Sequence, residues 1–355
     1  MNLTAVHQLV AGFAAGDAIS LEAVAIREAC RALGYASDIF APAESVTPDT
    51  RHDVRPLEEL PSVATQALIY HYSIQSRATD VFRRAAARKV MIYHNITPAE
   101  YFRGFDEAVE RQLTLGRQEL GSIAALADAV WADSAFNAQE LAALGVQNVR
   151  VLPLLFSPTM LEVAPDSAIQ QRLATPSKKI LFVGRIAPNK CVEDLIEVFA
   201  WYHRHLERRS ELLVVGSERS CPRYFAMLRM YTGELDLPAV SFVRYASPAG
   251  LVAFYEGADL FVTTSRHEGY CLPVVEAMYK SVPVLARNVG GVPEAMDGAG
   301  VMFDDASPME LACLMHRLIT PGPLRSTVLA AQQARIERLR ARPVLQELRE
   351  LLTAL

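Results

Sequence analysis

Short apolar runs recur along the chain, separated by longer stretches in which apolar residues return every three or four positions. The runs read as strands at Leu3–Val10, Ala67–Tyr72, Val90–His94 and Val149–Leu152. They return at Lys179–Val183, Leu212–Val215, Ala258–Thr263 and Val282–Ala286. Several are rich in Val and Ile and end at Gly or polar residues, which suits a parallel sheet covered on both faces. The stretches between them read as helices. In the first, Ile19, Ala23, Ile26, Cys30 and Leu33 form one apolar stripe, and Gly34 is the natural C-terminal stop. Strand–helix alternation over this length predicts a doubly wound α/β architecture.

The chain has 355 residues, enough for two domains with a core each. Pro158, Pro165 and Pro176 interrupt the alternation. The expected division is a first Rossmann-like domain over 1–157, a linker over 158–177 with a short helix at Ile169–Leu173, and a second Rossmann-like domain over 178–322. Pro321-Gly322-Pro323 then introduces an Arg- and Leu-rich helical tail, 323–355, that could pack back on the first domain.

Composition narrows the class. Hydrophobic residues make up 51% and charged residues 21%, the balance of a soluble globular protein. A formal net charge of −5 gives no bulk attraction to nucleic acid or anionic surfaces. Five scattered cysteines without a Cys-x-x-Cys pair read as reduced thiols of a cytoplasmic protein. The first residues read as a strand rather than a signal peptide, and no apolar run has membrane-spanning length. Arg77, Arg83, Arg84, Arg88 and Lys89 crowd one segment read as helical. It is either a solvated face or a peripheral contact with the inner face of the cell membrane.

Candidate chemistry concentrates in the second half. The strand ending at Thr263 runs into Ser265-Arg266-His267-Glu268-Gly269-Tyr270, and a helix begins near Leu272-Pro273. Ligands of open α/β sheets bind beyond the carboxyl ends of strands, where a helix N-terminus offers free N–H groups to phosphate. Gly269 permits a tight turn, Pro273 suits a first helical turn, and Glu276 lies one turn in, where its carboxylate can take a pair of ribose hydroxyls. An ordinary loop with a surface glutamate is the plainer reading of the two acids alone.

The segment Glu268-Gly269-Tyr270-Cys271-Leu272-Pro273-x-x-Glu276 resembles the two-glutamate signature of retaining nucleotide-sugar glycosyltransferases of family four (glycosyl transferases group 1, GT-B fold). The resemblance implies two Rossmann-like domains facing across a cleft. It places Glu268 beside the transferred sugar and Glu276 on the nucleotide ribose. Backbone groups of Gly269, Tyr270, Cys271 and Leu272 would meet the diphosphate and sugar. The family usually has Phe-Gly where this chain has Tyr270-Cys271.

Lys179–Val183 followed by Gly184-Arg185-Ile186-Ala187-Pro188-Asn189-Lys190 resembles the family's strand, Gly-Arg, loop and Lys element. Arg185 and Lys190 are thereby implied as the cations for a departing diphosphate, whose growing charge needs N–H donors when no metal is present. Gly12–Ile19 resembles the N-terminal glycine loop, with Gly16-Asp17 in place of the usual Gly-Gly. Asp17 reads equally as a helix N-cap, and the roles are compatible. His94, at a strand end, matches a histidine placed near the sugar. His71 and Ser134 end neighbouring strands. Tyr245 lies in a segment resembling the loop that frames the nucleobase, and Gly290-Gly291 in one resembling a supporting turn.

The implied activity is transfer of a hexose from GDP-mannose or a UDP-hexose, with retention, to a glycan or lipid-linked acceptor, as in surface polysaccharide synthesis. No cofactor or metal is expected: there is no Asp-x-Asp motif and no zinc spacing of His and Cys. A two-Rossmann oxidoreductase is disfavoured because Gly12 to Gly16 is not a Gly-x-Gly-x-x-Gly fingerprint. A nucleotide-sugar isomerase or hydrolase, or an inactive binding protein on the same fold, remains open.

Overall fold

The structure is a computed structural model and describes residues 3–61, 66–219 and 221–355. It divides into two compact units. One takes the chain up to Glu100, Ala108–Ser157 and Arg342–Leu355. The other takes Tyr101–Glu107 and Pro158–Ala341.

In the first unit the run Ala5–Val10 (β1) is buried along its whole length, as a strand covered on both faces must be. With it stand β2 (Ile39–Ala41), β3 (Arg55–Pro56), β4 (Gln66–Tyr72), β5 (Arg88–Tyr93), β6 (Ala129–Ala132) and β7 (Arg150–Val151). They form a seven-stranded sheet in the order β3-β2-β1-β4-β5-β6-β7, parallel at every described ladder. The chain winds outward from β1 to β3, returns to β4 beside β1, and winds the other way. The crevice between β1 and β4 is therefore the topological switch point.

The helix Ala18–Ala32 is capped by Asp17, which accepts from the Ser20 amide at 3.1 Å. It ends before Gly34 at φ +92°, the left-handed stop that a side chain would resist. Ile26 and Cys30 of its apolar stripe pack with Val6, Ile69, Val90 and Trp131.

The second unit repeats the plan. Its strands are β8 (Lys178–Val183), β9 (Ser210–Val215), β10 (Val240–Val243), β11 (Leu260–Thr263), β12 (Val284–Arg287) and β13 (Val301–Phe303). The order β10-β9-β8-β11-β12-β13 puts its switch point between β8 and β11. Among the described strands, β2, β3, β10 and β13 do not stand out as apolar runs: β2, β3 and β13 hold two or three residues each, and Ser241 interrupts β10.

Two stretches differ from the sequence expectation. The expected linker holds a 3-10 turn, Pro158–Leu161, and a helix, Ser167–Leu173, and both belong to the second unit. Leu173 there is 5% exposed and packs at Gly257. The tail is two helices rather than one. Pro323–Arg340 stays with the second unit, where buried Gln332 accepts from the Val284 amide and donates to the Val282 carbonyl. The chain breaks before Pro343, and Val344–Thr353 joins the core of the first unit through Leu348 and Leu352. The apolar period of the tail did not show that its two halves face different cores.

The basic segment is also divided. Arg77, Arg83 and Arg84 lie on the helix Arg77–Arg84, whereas Arg88 and Lys89 begin β5. Arg77 pairs with Glu44 and Glu58, Arg83 with Glu119, and Arg88 with Asp128. Most of this positive charge is thus balanced in place. No helix among the described residues is long and apolar enough to cross a membrane.

Candidate active site

The segments singled out in the second half lie at the carboxyl ends of β8 and β11, the two strands of the switch point. Three ties knit their loops together. Lys190 Nζ donates to both oxygens of Glu268 at 2.7 Å. Asn189 donates to the His267 carbonyl at 3.2 Å and accepts from the Arg266 amide at 3.0 Å. Thr264 Oγ1 donates to the Cys191 carbonyl at 2.8 Å.

Glu268 is 7% exposed. Burial pushes its carboxyl up, but the Lys190 ammonium and the hydrogen bonds from Lys190 and Ser265 outweigh burial and hold the net value below the ordinary carboxylate range. The resemblance separated these residues, Lys190 for the diphosphate and Glu268 for the sugar. The structure makes them one ion pair.

The helix Leu272–Tyr279 begins at Cys271, which sits in the left-handed region at φ 71° with no side-chain cap. That backbone accounts for the glycine usual at this position: a Cβ is strained there. The helix Val192–His205 starts the same way, at Cys191 with φ 46°. The N-terminus at Cys271, without a side-chain cap or an acid in its first turn, adjoins the Glu268–Lys190 pair and suits a phosphate-bearing ligand. At Cys191, by contrast, the Val192 amide donates to Tyr224 Oη at 2.9 Å, and Glu193 and Asp194 fill the first turn. Cys191 and its helix were not singled out in the sequence; nothing in its spacing marks a left-handed cysteine.

Glu276 lies one turn into its helix. Its Oε2 accepts from Tyr255 Oη at 2.7 Å, while its Oε1 has no hydrogen bond among the described residues. Burial pushes its carboxyl up, and the Tyr255 hydroxyl partly offsets this. Tyr255 could not be found by spacing, because it arrives on another helix, Pro248–Gly257.

Arg185 is exposed and makes no ion pair among the described residues. Tyr245 is 72% exposed, two residues beyond the end of β10. Gly290 and Gly291 brace the glutamate loop from beneath. A Cβ on Gly290 would stand 2.0 Å from the Glu268 carbonyl oxygen, and one on Gly291 would stand 1.9 Å from that of Gly269.

The first unit holds the remaining candidates. Gly16 lies at φ +74° in the loop after β1, and the Asp17 carboxylate is engaged as the helix cap. Ser134 is likewise a cap: it accepts from the Asn137 amide at 3.1 Å. His71 and His94 lie in a buried cluster. His71 Nδ1 and His94 Nε2 are 2.8 Å apart, and His71 Nε2 lies 2.8 Å from Gln8 Oε1. His94 Nδ1 faces Asp133 Oδ2 and Glu22 Oε2, each at 3.3 Å. Both nitrogens of His94 are therefore directed at protein groups.

Burial opposes charge on His94, but Glu22, Asp133 and Asp17 more than offset it and raise its pKa. Burial, then the charge of His94, drives His71 well below the ordinary histidine value. Glu22 is fully buried; desolvation dominates over His94 and pushes its carboxyl up to about 7. Gln8 and Glu22 gave no sequence signal, since each reads as one polar residue inside an element. Glu22, His71 and His94 present ligand-type atoms within 4.8 Å of one another. A metal ion there would have to displace the hydrogen bond between the two imidazoles.

Comparison with known proteins follows the same division. Residues 165–333 match the family described as Glycosyl transferases group 1. A D-inositol 3-phosphate glycosyltransferase of Kineococcus radiotolerans is 33% identical over 191 residues, 48% of this chain and 42% of that protein. The chain spans less than half the length of the curated relatives it matches. Its fold is that of a sucrose-phosphate synthase from Thermosynechococcus elongatus (TM-score 0.74, 17% identity, 98% of each chain). It is equally that of the Anabaena protein HepE, solved in complex with UDP and glucose (TM-score 0.72, 17% identity, covering 99% of this chain and 100% of that one). These are GT-B structures, and the chain shares their two parallel-sheet α/β domains.

Proposed function

Since residues 165–333 belong to the glycosyl transferases group 1, we propose that this chain transfers a hexose from a nucleotide sugar, with retention, to a glycan or lipid-linked acceptor. The observation that carries the reading is the buried Lys190–Glu268 pair at the β8/β11 switch point, beside the helix N-terminus at Cys271, which has no side-chain cap. A dry ion pair among N–H donors suits a diphosphate whose charge grows as its bond to the sugar breaks.

In this reading the backbone of Gly269 to Leu272 and the exposed guanidinium of Arg185 hold the diphosphate. The Lys190–Glu268 pair orients the hexose, Glu276 Oε1 takes the ribose, and Tyr245 lies against the base. The acceptor hydroxyl bonds to the anomeric carbon on the face that the diphosphate leaves. Its proton passes to the departing phosphate oxygen, so no protein nucleophile is needed. Lys190, Arg185 and the backbone amides supply the positive charge that a metal would otherwise bring, and we infer metal independence from them. UDP-hexoses and GDP-mannose are the donors to examine first. A cytoplasmic site of action, supplying surface polysaccharide, accords with the five free cysteines.

Calorimetry with UDP, GDP and ADP, repeated on Glu276→Ala, tests the donor site. A nucleotide should bind, and the variant should bind it at least about tenfold more weakly, as loss of a hydrogen-bonded carboxylate implies. Proton NMR of the first-formed product, with and without EDTA, tests the chemistry. Failure of all nucleotides to bind, or an inverted linkage, would overturn the proposal.

A further inference from the structure

The hydrogen bonds that lead from Gln8 through His71 to His94 Nε2 run in one direction. Gln8 Nε2 donates to the Ala23 carbonyl at 2.9 Å, so Gln8 turns its oxygen toward His71. His71 must then carry its proton on Nε2, which leaves Nδ1 as an acceptor. The 2.8 Å contact between the imidazoles therefore needs a proton on His94 Nε2. On its other side His94 Nδ1 meets two carboxylates, Asp133 from the end of β6 and Glu22 from the helix Ala18–Ala32. An unprotonated nitrogen there would face the Asp133 carboxylate acceptor to acceptor, whereas a protonated one donates to it and is drawn also by Glu22.

Asp133 accepts from the Asn137 side-chain amide at Oδ1. Glu22 has no side-chain donor of that kind among the described residues. Neither of its oxygens makes a hydrogen bond of good geometry, although the Leu155 amide and, more weakly, the charge of Arg342 act on its carboxylate. A buried carboxylate so placed is the member of the group most easily protonated.

We propose that Gln8, His71, Glu22 and Asp133 are positioning residues that hold His94 as a permanent imidazolium, and that Glu22 is the titrating member of the cluster. Asp17 at the helix cap adds a further negative charge facing His94. His94 then has no free lone pair and does not act as a general base. For its catalytic consequence this rests on the glycosyl-transfer reading, from which it removes the histidine as proton acceptor. The charge state itself does not depend on that reading.

Two-bond proton–nitrogen NMR of the histidine-labelled protein reads the rings directly. In the unmodified chain both nitrogens of His94 should be protonated from about pH 6 to about pH 8, while His71 stays a neutral Nε2–H tautomer. In Glu22→Gln the His94 midpoint should fall by at least about one pH unit, because one of its two facing carboxylates is gone. An unprotonated His94 nitrogen at about pH 7 in the unmodified chain overturns the proposal without any variant, as does an unchanged midpoint in Glu22→Gln. If these signatures hold while no donor supports transfer, the functional reading fails and the charge assignment stands.

Discussion

At the scale of single residues, the Lys190–Glu268 pair is a candidate for both stability and chemistry. Its side chains are 16% and 8% exposed, so removing the cation leaves a carboxylate with little water to replace it. Lys190→Met should cost roughly 3 kcal/mol of stability at neutral pH, the low end for breaking a buried pair. The pH dependence follows from the sign of the shift. Glu268 has a depressed pKa when folded, so its contribution is present above the ordinary carboxylate value and fades as pH falls through the folded value. Urea unfolding should therefore show the gap between the unmodified chain and Lys190→Met closing in acid. Lys190→Met/Glu268→Gln should recover stability but not transfer. A gap that ignores pH would mean that lost packing, not lost charge, is the cause.

Elements set where these residues point. The strand–turn–helix reading located Glu268 and Glu276 because an exposed strand end and a helix start are local patterns. The brace beneath them was seen only as a resemblance to a supporting turn. The structure supplies its reason: Gly290, at φ +56°, lets the loop before the helix Val292–Met296 lie directly against the Glu268–Gly269 backbone. Gly290→Ala should force that loop away and weaken nucleotide binding by at least about tenfold, equivalent to roughly 1.4 kcal/mol. Gly121→Ala is the control, since a Cβ there meets nothing within 4 Å. Equal affinity for both variants would show that the glutamate loop is not braced in the way the geometry implies.

On the scale of the whole molecule, the unexpected feature is the divided tail. Leu348 and Leu352, at 0% and 2% exposure, complete the core around Val6, Ile26 and Trp131. Ending the chain after Ala341 should remove roughly 4 kcal/mol of burial from the first unit, about 2 for each leucine. That is a large share of a typical domain's stability. Thermal unfolding followed by the Trp131 signal should shift strongly downward, while the nucleotide binding proposed for the second unit persists. A truncated chain with an unshifted Trp131 transition would refute the role given to this helix. By itself the sequence determined the α/β class, the alternation of elements, the helix stop at Gly34 and the two-glutamate segment. Each of these is carried by residues within a few positions of one another. Only the tertiary structure decided that Lys190 lies on Glu268, 78 positions away, that Tyr255 holds Glu276, and that the tail serves two cores. It alone assembled Gln8, Glu22, His71, His94 and Asp133 into one buried cluster. Those contacts depend on strand order and on which helix covers which sheet, and neither leaves a period in the chain.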